Sequence, residues 1–327
     1  MMAGMGMPRC VTTSNSVKLL GYAPLSAFRP SPARPASRAG SSARARGSQQ
    51  VLAACPFSAS QREHLPFMGV KDGPFKMTMG VQPLDWKDWI EIDEWYEEEI
   101  ELKRQMFAEK KERVLQEDPE ASPASQELLQ KLCAWLPSHY PDRFVYEDGR
   151  IHNRATGDCF DTRDPALDPL YAVSMLVQED IALMYKGRLV GGGVCFPMRW
   201  SLMNYMGKDI PELHEKVPHF NDTIVGQVSG FLDKLKPERP FTRANWGIDP
   251  NPDLDQHPPQ TDEEEQEAMR RAMSRGPITV ENAGEKLFLR VERQTFSRLP
   301  ESQAVVFTIH TFVRPLKEVR RILLLDV

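Results

Sequence analysis

Residues 287–300 read Leu287-Phe288-Leu289-Arg290-Val291-Glu292-Arg293-Gln294-Thr295-Phe296-Ser297-Arg298-Leu299-Pro300. Apolar and charged residues alternate there, which is the period of a strand and not of a helix. A strand is expected from Leu287 to Thr295 and a returning strand from Ala304 to Phe312. The segment Arg298-Leu299-Pro300-Glu301-Ser302 would join them into a hairpin. Because successive side chains of a strand point to opposite faces, Arg290, Glu292 and Gln294 share one face, and Val291 and Arg293 the other. Charged residues on both faces of a strand between apolar elements must be paired or reach water.

Working outward, residues 66–85 read as an extended lead-in with turns. Trp86 to Gln116 reads as one long charged helix, with Trp89, Ile92, Trp95, Ile100, Met106 and Phe107 at helical spacing. The run Glu97-Glu98-Glu99 is its solvated face, and Asp118-Pro119 stops it. Ser125 is expected to cap a second helix, Gln126 to Leu136. Between Phe144 and Phe160 the pattern turns to β, with turns at Asp148-Gly149 and Thr156-Gly157-Asp158. A short helix over Leu167–Val177 precedes two strands, Asp180–Tyr185 and Leu189–Phe196, joined at Lys186-Gly187-Arg188. Three glycines inside the second of these, Gly191 to Gly193, imply a bulge or a backbone that passes close to a cofactor. Segment 197–222 is irregular. Phe220 to Leu235 reads as an amphipathic helix, and Arg239 to Trp246 leads into a strand. Pro250 to Gly276 reads as a polar surface insertion with a short helix, Glu263 to Ser274. Leu316 to Leu325 reads as a terminal helix. The sum is α+β: an antiparallel sheet of four to six strands, flanked by N-terminal and C-terminal helices.

The net charge of −5 hides two opposite parts. Met1 to Arg62 carries +8 with no acid, and the remainder carries −13. An acidic folded part would repel phosphate, so nucleic acid is not the expected partner. The remainder suits one large domain or two small ones. No run approaches the roughly 18–20 apolar residues of a membrane span. The cysteines Cys10, Cys55, Cys133, Cys159 and Cys195 form no CxxC pair, so neither a zinc knuckle nor a disulfide framework is expected. No phosphate-binding glycine loop stands between a strand and a helix.

The basic front end is rich in Arg and Ser and free of acid, the composition of an organelle transit peptide. Val51-Leu52-Ala53-Ala54-Cys55 resembles a plastid processing site. Residues 1–55 are therefore expected to be a disordered transit peptide for the chloroplast, with the mitochondrion as second choice. Residues 56–75 complete the lead-in, and the domain proper is expected over 76–317, with 318–327 as the terminal helix. Ending at Asp326-Val327, the chain is expected to stop earlier than its relatives do.

The Leu287–Pro300 block resembles the signature of the haem-dependent oxidative N-demethylases. Further matches occur in the same order along the chain: Met79-Gly80 and Pro83-Leu84, Trp89-Ile90-Glu91-Ile92-Asp93, then Val177-Gln178-Glu179-Asp180. Cys195-Phe196-Pro197 with Trp200, Gly207-Lys208, and Leu213-His214 with Val217-Pro218 follow. Asn245-Trp246 and Val306-Phe307-Thr308-Ile309 complete the set. The resemblance implies a Per-Arnt-Sim-like fold that binds b-type haem. It implies oxidative removal of a methyl group from a small methylated amine, with release of formaldehyde. It also implies electrons from a separate reductase carrying flavin and an iron–sulfur centre and fed by NAD(P)H. The chain carries no recognisable flavin or iron–sulfur motif of its own.

Haem needs an axial ligand from His, Cys, Met or Tyr. Of seven histidines, His64 lies in the lead-in, His139 and His152 near turns, and His257 in the polar insertion. His214 matches the family's His-x-x-Val-Pro pattern and is the expected proximal ligand. His219 is the runner-up. His310 stands in a strand where the family more often shows Arg. Cys195 reads as a buried, inert thiol. The resemblance gives Arg290 or Arg298 to a haem propionate, which a guanidinium fork suits. Glu292 would then hold the substrate ammonium or relay protons; Glu292 and Arg290 are the expected catalytic pair. A structural arginine–glutamate network that pins strand to helix is the other account of the same residues. Lys208, Arg243 and Asn245 are further candidates for propionate or substrate contacts, and Trp200 and Trp246 for core or pocket walls. A haem or small-molecule sensor without catalysis is the alternative function, since a fold does not fix an activity.

Overall fold

The computed structural model describes residues 77–323. The expected transit peptide and residues 56–76 of the lead-in lie outside the described residues. In chain order, strand β1 (Gln82–Pro83) and a single 3-10 turn at Trp86–Asp88 lead to helix α1 (Tyr96–Val114), strand β2 (Leu115–Glu117) and helix α2 (Ser122–His139). A small sheet follows, made of β3 (Phe144–Glu147), β4 (Arg150–Asn153) and β5 (Cys159–Asp161). Helix α3 (Pro169–Leu176) precedes the pair β6 (Asp180–Tyr185) and β7 (Arg188–Gly193). Helices α4 (Ile210–Leu213), α5 (Phe220–Thr223) and α6 (Val225–Lys234) carry the chain to β8 (Phe241–Asp249). Helices α7 (Asp262–Ser274) and α8 (Ala283–Lys286) separate β8 from the hairpin β9 (Phe288–Arg298) and β10 (Val305–Pro315), and α9 (Leu316–Leu323) follows.

Seven strands form one antiparallel sheet in the order β1-β8-β9-β10-β6-β7-β2. That exceeds the expected four to six, because β1 and β2 are two and three residues long, too short for any alternation to reveal. The register Asn245↔Glu292↔Thr311 and Arg243↔Gln294↔Ile309 puts these side chains on one face of the sheet. Arg293 and His310 are paired on the other.

Each face has its own core. Helices α1, α2 and α3 bury Ile100, Leu128, Leu132 and Val173 with Ile181 and Val306. On the opposite face Leu202, Ile210, Phe220 and Ile224 close over Ala182, Met184 and Val305, joined by half-buried Phe231, Phe296 and Phe307.

Tertiary contacts overrode four local expectations. The helix expected from Trp86 begins only at Tyr96, because side chains from other elements capture the backbone before it. Glu91 N–H donates to Glu179 at 2.9 Å, Ile92 N–H to the Tyr140 hydroxyl at 3.3 Å and Asp93 N–H to Gln178 at 3.0 Å. Ser125 does not cap α2. The helix starts at Ser122, with a proline in its first turn, and the Ser125 hydroxyl donates to the Ser122 carbonyl. The glycine run adjoins the expected bulge, a register shift at Leu183/Met184 that leaves Val190 unpaired, and its close approach is to protein: a Cβ on Gly193 would lie 2.0 Å from Ser174 Oγ, and one on Gly192 2.6 Å from the Ile181 carbonyl oxygen. The insertion at 250–276 is also more than surface. Lys110 pairs with Asp255 at 2.5 Å and Arg113 with Glu264 at 3.1 Å, clamping it to α1, and the His257 side chain is 2 % exposed.

Candidate functional site

His214 closes the single turn of α4, whose start is fixed by a reciprocal cap between Asp209 and Glu212. Its Nδ1 lies 2.9 Å from the Ile210 carbonyl oxygen. A carbonyl only accepts, so Nδ1 carries the proton and Nε2 keeps its lone pair. The ring stacks on Phe220 at 4.0 Å between centroids. Burial lowers the pKa of His214 against the pull of the Ile210 hydrogen bond, and the nearby Arg243 guanidinium lowers it further. The result is a neutral, oriented imidazole whose Nε2 makes no hydrogen bond among the described residues. His219 has a left-handed backbone (φ 64°) and is exposed, and no hydrogen bond orients its ring among the described residues.

Arg243, whose charge reaches His214, belongs to a polar row on one face of the sheet. Glu292 accepts from Gln294 at 3.0 Å and from Asn245 at 3.3 Å, and lies 3.7 Å from Arg290 Nε. Arg243 buries its Nε with no partner, and no hydrogen bond or ion pair engages its guanidinium among the described residues. Desolvation lowers its pKa, opposed by the attraction of Glu292. Thr311, the cross-strand neighbour of Glu292, is 3 % exposed and its hydroxyl also has no partner. Helix α6 contributes Val225, Val228, Phe231 and Leu232, all half-buried, and Phe231 packs edge-on against Phe241 and Phe296 of the sheet. Trp200 stands beside Tyr205, ring centroids 5.9 Å apart.

Other expected site residues have different employment. Arg290 is 1 % exposed and donates to the carbonyls of Asp253, Leu254 and Phe196, holding the insertion and the segment that follows β7 to the sheet. Arg298 donates to the carbonyls of Leu232, Leu235 and Gln303, so it caps the end of α6. Both guanidiniums are committed to the fold, as the structural account of this strand expects. Lys208 lies over the Tyr205 ring beside β7, with three strands between β7 and β8. Burial and the nearby Asp180 carboxylate hold the Cys195 thiol well above its usual range, as an inert thiol should be. Trp246 is 37 % exposed and walls nothing.

On the opposite face the other motif blocks meet in one buried network. Gln178 donates to Asp93 and Glu99, both at 2.8 Å. Lys103 is fully buried and donates to the carbonyls of Ser174, Val177 and Glu179. The His310 ring lies between two carboxylates, Nε2 3.6 Å from Asp93 and Nδ1 3.7 Å from Glu179. Burial opposes a charge there, yet the two carboxylates outweigh it and raise the His310 pKa to about 10. His310 is thus a cation standing where the resemblance leads one to expect Arg.

Sequence reading missed Thr311 and Lys103. Thr311 becomes visible only when the hairpin register is known, since one residue of slip turns it to the other face. Lys103 looks like any lysine of a charged helix.

The arrangement suits a porphyrin. A neutral imidazole with one open nitrogen, an unpartnered guanidinium and an apolar helix lid match an iron, a propionate and a hydrocarbon ring. Among the described residues no three His, Cys, Asp or Glu gather to hold a bare metal ion. A family model described as haem-dependent oxidative N-demethylase, alpha subunit-like, matches residues 80–324, well over half of the 327.

Proposed function

The chain belongs to the haem-dependent oxidative N-demethylase alpha subunit-like family, and from that premise we propose that it removes a methyl group from a small methylated amine as formaldehyde. The family is named for oxidative demethylation with haem, which puts the chain among the oxidoreductases. An alpha-subunit-like chain also implies further subunits or partners. The observation that carries the reading is His214, oriented by Ile210 with Nε2 making no hydrogen bond among the described residues, and close enough to Arg243 of β8 for that charge to lower its pKa. The five long strands lie in space as second, first, fifth, fourth and third of their chain order, with α4 to α6 inserted after the second. That order supports the Per-Arnt-Sim-like reading.

The overall reaction balances as methylated amine, dioxygen, two electrons and two protons giving the demethylated amine, formaldehyde and water. Haem b, when bound, supplies the activation of dioxygen. His214 would hold the iron, with its hydrogen bond to Ile210 fixing the ring and raising its basicity. Arg243 would hold a propionate through its unengaged guanidinium, with Asn245 two residues along on the same face of β8. Helix α6 excludes water. Glu292 handles protons: two amide donors and the Arg290 guanidinium already match its charge, which favours this role over anchoring a substrate ammonium. Electrons come from a partner reductase with flavin, an iron–sulfur centre and NAD(P)H. The acid-free front end serves as a plastid address.

The test uses the full chain. Reconstituted with haem, it should show a Soret band with an imidazole-ligated signature, and it should release formaldehyde from some member of a methylated-amine panel when given a chemical or enzymatic reductant. Absence of the Soret band would sink the reading. Haem binding without formaldehyde from any amine would turn it towards a sensor.

A further inference from the structure

Helix α7 stands on the insertion with no residue of its own buried. A helix of 13 residues is marginal in water unless something covers its apolar side. It is tied to the body through Glu264, which meets Arg113 at 3.1 Å, and through Arg275 just past its end, which donates to Asn251 at 2.7 Å. At 3.6 residues per turn, Met269 and Met273 fall on the side away from Glu264. They are four residues apart and so neighbours on that face. Ile278 and Val280 follow in the next loop. Of the large apolar side chains exposed among the described residues, half lie in this one stretch, and Met273 is 72 % exposed. Single exposed apolar residues are ordinary, but a concentration of them marks a surface that meets a partner. Methionine suits such a surface because its side chain adapts to the shape it meets.

The charges beside these methionines say what the partner is. Met269 and Met273 belong to a seam that runs through Asp262, Gln266 and Gly276 in steps of three and four residues. Glu263 and Arg270 are seven residues apart, so both lie on the same flank of that seam. Glu263 makes no ion pair among the described residues. Arg270 pairs with Glu267 at 2.6 Å, and Glu267 also holds Arg271 at 3.0 Å. Arg270 can therefore change partners while Glu267 keeps Arg271. A twofold axis that sets two copies of this helix antiparallel brings each flank against the same flank of its mate. Glu263 of each copy then meets Arg270 of the other, so the face complements itself in charge. We propose that this face of α7 is the contact between two copies of this chain, an antiparallel helix pair with the methionines in its seam and two Glu263–Arg270 bridges across it. The inference goes beyond the demethylase reading and does not rest on it.

The experiment is sedimentation velocity on the full-length chain. An interface this small suits a dissociation constant of about 10–100 μM, so monomer should pass to dimer between about 1 and 500 μM. Two charge variants are then compared with the parent. Glu263→Arg makes the flank wholly basic and Arg270→Glu makes it wholly acidic, so each should repel its own copy and dimerise at least about tenfold more weakly. Mixed in equal amounts, the two variants should pair with each other, because both bridges are then restored with their signs exchanged. Met273→Glu should weaken the dimer, with no rescue by mixing. All three positions are exposed, so the thermal midpoint of each variant should match that of the parent at low concentration. A parent chain that stays monomeric throughout would overturn the inference and hand the face to a different subunit. Charge variants that dimerise like the parent would place the contact elsewhere on the molecule. Folded variants that fail to pair when mixed would overturn the antiparallel arrangement. None of these readouts involves haem or an amine, so failure of the demethylase reading would leave them unchanged.

Discussion

The imidazole of His214 is held by the carbonyl of Ile210, four residues earlier, at 2.9 Å. That single bond decides which nitrogen is free. Replacing His214 with Ala should remove the imidazole-ligated haem spectrum, and added imidazole should restore it, because the lid and Arg243 stay in place. A His214→Ala protein that keeps the parent spectrum without imidazole would move the ligand elsewhere. Outer partners of a metal ligand typically change affinity by 10–100-fold. Ile210 offers only its backbone, so a Pro or Gly that disturbs α4 is the way to probe that partner.

The His310 cation gives the fold a pH dependence of known sign. Its pKa rises from 6.5 to about 10 on folding. A raised pKa contributes stability that is fully present below pH 6.5 and is lost as the pH climbs through about 10. Glu179 has the opposite linkage: burial resists its charge, but His310 and the Glu91 amide lower its pKa, so its share disappears as the pH falls. His310→Gln should therefore destabilise most at neutral pH, by about 3–5 kcal/mol, since it leaves buried carboxylates without their cation. The difference from the parent should shrink towards pH 10, as thermal unfolding at pH 6, 8 and 10 would show. His310→Arg should recover most of the loss. A constant difference across that range would mean that His310 is neutral in the fold.

Much of this was legible in the residues, and the part that was not has a common cause. The alternation in 287–300 places Arg290, Glu292 and Gln294 on one face, and the observed register agrees. Period and turn residues also mark β6, β7 and the hairpin. What they do not mark is which backbone groups other side chains will capture. Trp89 to Asp93 has helical spacing, yet Gln178 and Glu179, more than eighty residues later, hold its amides in another conformation. Likewise Arg290 and Arg298 are strand arginines in pattern, but the carbonyls they hold come from segments whose position no local rule supplies. Arg243 reads no differently from them in sequence, and only the structure shows that its guanidinium is unengaged.

Gly193 tests the packing explanation of the glycine run. Its missing Cβ leaves the space that Ser174 of α3 fills, with the serine hydroxyl bonded to the Leu170 carbonyl. Gly193→Ala should cost about 1–3 kcal/mol by overpacking, and the double variant with Ser174→Gly should regain part of it. Haem binding by the refolded protein should be unchanged, because the clash lies on the helix side of the sheet. If Gly193→Ala folded normally but lost haem, the glycines would belong to the cofactor after all.

Arg298 tests how the lid is held. Three of its donors meet the carbonyls of Leu232, Leu235 and Gln303, and the first two lie at the end of α6. Charged hydrogen bonds of this kind are worth about 1.5–3 kcal/mol. Arg298→Met should fray the end of α6 and speed haem loss to an excess of a haem-scavenging protein, with only a modest fall in the thermal midpoint. A propionate role predicts a different signature: weaker haem affinity with α6 intact, as judged by amide hydrogen exchange over 225–235.

The cysteines separate by chemistry as well as by place. Burial pushes the Cys133 thiol up to about 12, and burial with Asp180 nearby pushes Cys195 higher still, while Cys159 is exposed on β5. The thiolate is the nucleophile and the metal ligand, so neither buried thiol should react or ligate at neutral pH. Iodoacetamide at pH 8 should label Cys159 in the native protein, and Cys133 and Cys195 only after unfolding, which peptide mass spectrometry would show. Cys195→Ala should leave the haem spectrum untouched, because the amides of Cys195 and Phe196 hold Asp180 through the backbone and survive the substitution. A thiolate-type haem band in the parent that vanishes in Cys195→Ala would instead make Cys195 the axial ligand. It would then require a cation near Cys195 strong enough to overcome both its burial and Asp180. The nearest candidate, Lys103, is already engaged by three carbonyls and lies 3.8 Å from Asp180.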